Sequence, residues 1–107
     1  MRRRTLLAAA TLLSLGALAA PPPAPAPAAI VLKSFHFSPA ELSVPLGTTV
    51  SWTNRDEEPH TIASVDGAFR SGALDADEVF RYTFTRAGTY RYVCTIHPQM
   101  TGTIVVR

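Results

Sequence analysis

The chain has 107 residues and a formal charge of +2, from ten Lys and Arg against eight Asp and Glu. Arg2, Arg3 and Arg4 stand ahead of a long apolar run, and without these three the balance moves from +2 to −1. Lys33 is the only lysine and Cys94 the only cysteine. No run of basic residues interleaved with aromatics lies beyond the leader, which excludes a nucleic-acid-binding face, and a lone cysteine excludes an intramolecular disulfide.

The opening "MRRRTLLAAATLLSLGALAA" has the layout of a secretory signal: a cationic start, an apolar stretch and small residues at the end. Ala17, Leu18 and Ala19 offer a small-x-small cleavage site, so residues 1–19 are read as a signal peptide, with an uncleaved membrane anchor as the alternative. Arg3 and Arg4 followed by Thr5, Leu6 and Leu7 also suit twin-arginine export as against the general secretory route. The expected location is periplasmic or exported, with no stable membrane insertion once the signal is removed. Residues 20–29, "APPPAPAPAA", carry no large apolar side chain and read as a stiff, extended spacer. The folded domain is expected over residues 30–107, a size at which a bound metal often supplements a small core.

From Ile30 onward, short β-branched and aromatic runs are punctuated by Pro, Gly, Asn and Asp, with no helical period sustained over three turns. Seven strands are predicted, at 30–37, 41–44, 48–54, 61–65, 78–84, 89–94 and 101–107. That density of strands implies an all-β sandwich. Alternation is clearest in the strand at 78–84, where Phe80, Tyr82 and Phe84 fall on one face and Arg81 and Thr83 on the other. His36 lies between Phe35 and Phe37, so it is expected at the surface, opposite a face that the two rings bury. Trp52, Tyr82, Tyr90 and Tyr92 are expected to fill or edge the core. Residues 66–77 show neither period and read as a long crossing loop with at most one helical turn.

Cys94, His97 and Met100 recur at every third residue on a segment that leaves one predicted strand and enters another, with Pro98 between the last two. On a tight loop such side chains can turn inward together, and Pro98 removes backbone freedom that binding would otherwise have to remove. Taken singly, each has a plain explanation: a buried cysteine as a small hydrophobe, a core methionine, a surface histidine. Together they form a donor set, because thiolate and thioether are soft ligands and imidazole is intermediate. His60, which follows Pro59 at the end of a loop, supplies a second imidazole. Two histidines, one cysteine and a weak axial methionine describe a blue-copper electron-transfer site. A metal-bound thiolate also explains an unpaired cysteine in an oxidising compartment.

Three other chemistries could use some of the same residues. A copper carrier or sequestering protein would use the same four ligands. A zinc site is disfavoured because thioether is not among the usual zinc donors. An enzyme with Cys94 as nucleophile and His97 as base would leave His60 and Met100 unused, and no oriented third group is visible. No catalytic residue is therefore assigned.

The stretches "FHFSPAELSVPLGTTVSWTNRDEEPHTI" and "AGTYRYVCTIHPQMTGTIVV" resemble the cupredoxins, the type 1 copper proteins, and among them the amicyanin branch with its very short ligand loop. The resemblance implies a Greek-key β-sandwich of seven to eight strands. It also implies one copper ion per chain held by His60, Cys94, His97 and Met100, and outer-sphere electron transfer. Partners would be a redox donor and a redox acceptor, bound transiently by a monomer. Three positions depart from the branch. Thr61 stands where an Asn usually ties the two ligand loops together, which predicts a looser surround. Ile96 replaces a proline, and Glu58 an apolar residue, so Glu57 and Glu58 add negative charge to the apolar docking patch around the exposed histidine.

Overall fold

The computed structural model describes residues 20–107 apart from residue 22. The expected signal at 1–19 lies outside the described residues. Eight strands form: β1 (Ala28–Lys33), β2 (His36–Ser38), β3 (Glu41–Val44), β4 (Thr49–Asn54), β5 (Ala63–Ser64), β6 (Val79–Thr83), β7 (Gly88–Val93) and β8 (Thr101–Val106). They build two four-stranded sheets, ordered β2-β1-β4-β6 and β3-β8-β7-β5. Each sheet contains one parallel pair, β1 with β4 and β3 with β8. Among the described residues there is no helix, and the all-β sandwich expected from the strand pattern is what forms.

The sheets bury the side chains that the alternation selects. In β4, Val50, Trp52 and Asn54 point inward while Ser51 and Thr53 are only half-buried. In β8, Gly102, Ile104 and Val106 point inward. Trp52 sits at the centre, with ring centroids 5.6 Å from Phe69, 5.5 Å from Phe80 and 5.6 Å from Tyr92. Rings at such spacings pack offset or edge-on, the arrangements their quadrupoles favour. Tyr92 fits because it crosses Gly102: a Cβ there would overlap its phenol ring.

Several sequence expectations change. The predicted strand at 30–37 is two strands joined by a two-residue turn, Ser34–Phe35, with Lys33 paired to His36. Both turn residues have positive φ, 52° and 60°. The turn reverses the chain, so Phe35 does not share a buried face with Phe37: it is 42% exposed, whereas Phe37 is 3% exposed. His36 is exposed, as expected. The predicted strand at 61–65 shortens to Ala63–Ser64, because the residues before it are drawn into contact with the loop at 66–77. That loop has no helical turn. It folds inward through isolated bridges His60↔Leu74 and Ala63↔Arg70 and places Phe69 and Leu74 in the core. β1 also begins at Ala28, inside the stretch read as spacer, because backbone pairing with Val50 and Ser51 needs no large side chain.

Candidate metal centre

Two extensions of sheet register converge at one pole of the sandwich. β7 and β8 pair antiparallel from Gly88↔Val106 to Val93↔Thr101. Continuing this register by one step sets Cys94 opposite Met100, and the Cys94 N–H does donate to the Met100 carbonyl at 3.0 Å. The ligand loop is therefore the tip of a hairpin, closed again where the Met100 N–H donates to the His97 carbonyl at 2.9 Å. β5 pairs with β7 as Ala63↔Val93, and two further steps bring Thr61 opposite Thr95. The Thr95 N–H donates to Thr61 Oγ1 at 2.7 Å, and the two hydroxyls lie 2.7 Å apart. Thr61 thus ties the two ligand loops together, which answers the expectation of a looser surround: a hydroxyl two steps beyond the paired strand reaches a backbone amide directly.

His60, Cys94 and His97 each direct one donor atom to a common point, the three atoms lying within 4.8 Å of one another. Cys94 Sγ is 3.8 Å from His60 Nδ1 and 3.7 Å from His97 Nδ1. Ligand bonds of about 2.3 Å to sulfur and about 2.0 Å to imidazole nitrogen put S and N about 3.5–3.8 Å apart at angles between tetrahedral and trigonal. The two sulfur–nitrogen separations therefore suit a shared metal ion. Met100, 3% exposed, closes the loop across the hairpin from Cys94. His60 and Cys94 are fully buried, whereas His97 is half-buried between its exposed chain neighbours Ile96 and Pro98.

Burial works against ionising Cys94, but the Thr61 amide and the His60 and His97 rings outweigh it and lower the thiol to about 6. The Thr61 N–H donates to Sγ at 3.4 Å. A thiolate is the form that ligates metal, so the site stabilises that form before any ion arrives.

The sequence reading missed Asp56. Its carboxylate, 6% exposed, meets His60 Nε2 at 2.8 Å through Oδ2. Engaging Nε2 leaves Nδ1 as the nitrogen that faces Cys94, so the carboxylate orients the ring for ligation through Nδ1. Burial tends to raise the Asp56 carboxyl, but the Phe35 amide, His60 and the Ser34 amide together hold it below its ordinary value. The available signal is an acidic residue four positions before a candidate ligand histidine, followed directly by the two further acids Glu57 and Glu58. Both are exposed and make no part of the donor cluster.

His60 is also held by its backbone. Its N–H and carbonyl exchange hydrogen bonds with Leu74 at 3.0 and 2.7 Å. Asn54, fully buried, donates Nδ2 to the Glu58 and Leu74 carbonyls at 2.8 and 2.9 Å and accepts from the Asp56 N–H at 2.9 Å. One side chain thus satisfies the turn that carries Asp56 and delivers His60.

Comparison with known proteins agrees with this geometry. The family pattern described as a cupredoxin-like domain matches residues 4–106. Amicyanin from Paracoccus denitrificans is 39% identical over 80 residues, a region covering 70% of this chain and 61% of amicyanin's own length. Among solved structures, a purple cupredoxin from Nitrosopumilus maritimus superposes with a TM-score of 0.70 at 35% identity, covering 75% of this chain and 99% of that one. A copper-containing nitrite reductase from Thermus scotoductus SA-01 gives 0.72 at 33% identity, covering 77% of this chain but only 22% of the enzyme. With its two-sheet sandwich and its His, Cys, His and Met grouped at one pole, this chain belongs to the cupredoxin family.

Proposed function

We propose that the protein is an exported electron carrier in which His60, Cys94, His97 and Met100 hold one copper ion. The observation that carries this reading is the meeting of one buried thiolate and two imidazole Nδ1 atoms within 4.8 Å, on a hairpin tip closed by a buried methionine. Copper held by these residues would supply a one-electron couple between Cu(I) and Cu(II), and the Met100 thioether would help to set its potential.

The chain's own residues divide the work. Cys94 supplies the strong thiolate donor, kept ionised by the Thr61 amide and both imidazoles. His60, clamped by Asp56, supplies a buried and fixed nitrogen. His97 carries the outer edge of its ring toward solvent between Ile96 and Pro98, which gives electrons a short route to a docked partner. The rigid hairpin and clamped loop hold the donor atoms in place in both redox states.

Docking by this pole suits brief encounters, since small interfaces with an apolar centre are typical of redox partners. Glu57 and Glu58, exposed next to Pro59, favour donors and acceptors with a basic rim, which raises the association rate in a salt-dependent manner. The likeness to amicyanin favours a carrier, and the sequence of residues 1–19 favours export, with the carrier working as a monomer.

The test is the visible absorption and electron paramagnetic resonance of the purified, copper-loaded protein. An intense thiolate-to-copper band is expected in the wild type and not in Cys94→Ala. A colourless wild type overturns the reading. Voltammetry then separates electron shuttling from copper storage: a carrier cycles reversibly and keeps its metal, whereas a storage protein releases it on reduction.

A further inference from the structure

The turn between β1 and β2 is built against local preference. Two-residue hairpin turns with both central residues at positive φ are usually made by Asn-Gly or Asp-Gly. Here they are Ser34 (φ 52°) and Phe35 (φ 60°), and left-handed φ is a true outlier for a bulky residue. Strain of this kind persists only where surrounding structure over-determines it, and it concentrates at functional sites. Two observations identify what holds the turn and what it holds. The Asp56 carboxylate accepts the Ser34 N–H at 2.7 Å through Oδ1 and the Phe35 N–H at 3.0 Å through Oδ2. The Phe35 ring stands edge-on to both histidines, 5.4 Å from His60 and 4.9 Å from His97, while remaining 42% exposed.

We propose that Phe35 is a cap on the metal centre and Asp56 its clamp: one carboxylate orients His60 and builds the strained turn that seats an aromatic ring over both imidazoles. Phe35 is a positioning residue. It limits rotation of the half-buried His97 away from the donor cluster, and it covers the approach by which water, anions or a competing chelator would reach the ion. The clamp and the cap share one carboxylate, so loss of Asp56 frees His60 and the turn together. His97 alone has an exposed flank, and among the described residues no side chain takes up its Nε2. It is therefore the ligand that a cap has most reason to restrain.

This inference rests on the copper reading above, and its test separates the two. Phe35→Gly removes the ring and relieves the backbone, since glycine accepts positive φ at no steric cost. Transfer of Cu(I) from the loaded protein to excess bicinchoninate is followed alongside the thermal midpoint of the metal-free protein. The cap predicts at least tenfold faster transfer, the lower end of what loss of a ligand-orienting partner costs in affinity. It also predicts a metal-free midpoint within a few degrees of wild type, because relieved strain offsets the lost ring contacts. A ring with only a packing role gives the opposite pair, a lowered midpoint and an unchanged transfer rate, and that result overturns the proposal.

Asp56→Asn supplies a second arm. Amide hydrogen exchange at Ser34 and Phe35 in the metal-free protein should quicken at least tenfold relative to wild type, with the remaining sheet amides unaffected. Equal exchange in the two proteins removes the clamp. If the wild type fails to form a thiolate-to-copper band, the copper reading has failed. If the band forms and Phe35→Gly changes nothing, only the cap has.

Discussion

The two ligand histidines are held in opposite ways. His60 is fully buried, its Nε2 donates to Asp56 and its backbone exchanges two hydrogen bonds with Leu74. His97 sits on a hairpin tip, half-buried, with exposed residues on both sides. The contrast separates two requirements of a carrier. One imidazole must hold the donor geometry constant, and the other must pass charge across the surface. A site with two buried histidines would be rigid but insulated, and one with two exposed histidines would be accessible but loose.

The comparison can be broken most completely at the residue both histidines face. Cys94→Ala should abolish the thiolate-to-copper absorption of the loaded protein, since neither imidazole can supply a replacement charge-transfer donor. Asn54→Ala attacks the buried side alone. It leaves the Glu58 carbonyl and the Asp56 N–H without their partner and removes one of the two donors to the Leu74 carbonyl, which keeps the His60 N–H, at a cost of roughly 2 kcal/mol. Urea unfolding of the metal-free protein checks this, and the exposed loop around His97 should keep its wild-type chemical shifts.

Gly102→Ala tests the scaffold beneath the His97 hairpin. The added methyl overlaps the Tyr92 ring, which is fully buried against Trp52 and Phe37 and has nowhere to move. Overpacking of this kind costs about 1–3 kcal/mol, measured by thermal unfolding. The effect should extend to metal affinity, because Tyr92 lies two residues before Cys94 on β7.

Acid sharpens the comparison without mutation. The folded chain holds the Cys94 thiol at about 6 against an ordinary value of 9.0. Its contribution to the stability of the metal-free protein is therefore complete above the ordinary value, shrinks as pH falls, and is gone below about 6. Ultraviolet thiolate absorbance should titrate with that midpoint. The Asp56 carboxyl, also lowered, loses its contribution only further into acid, as pH falls below its ordinary 3.8. The contacts of Cys94 with both histidines should thus weaken before the Asp56 clamp does. The smallest effect is expected from Arg55→Ala: its pair with Asp77 at 2.6 Å joins two side chains that are 55% and 74% exposed. Such pairs contribute at most about 1 kcal/mol, so denaturant midpoints should barely move.

Much of this protein is legible in one dimension. Alternation in residues 49–54 and 101–106 identifies inward faces because a strand sends every second side chain to the same side. The spacing of Cys94, His97 and Met100 identifies a donor set because three soft or intermediate ligands rarely meet by accident on so short a loop, and His60 follows from the need for a fourth.

Phe35 and Asp56 could not be read in that way. Phe35 looks like a core residue in an alternating run, and only the turn at Ser34–Phe35, held by a carboxylate from a loop some twenty residues later, lifts it out of the core and over the imidazoles. The burial of Phe69 and Leu74 likewise depends on bridges made across an aperiodic loop. Periodicity reports which way a side chain leaves its own strand. Which group from elsewhere meets it is set by sheet register and loop closure, and those exist only once the chain has folded.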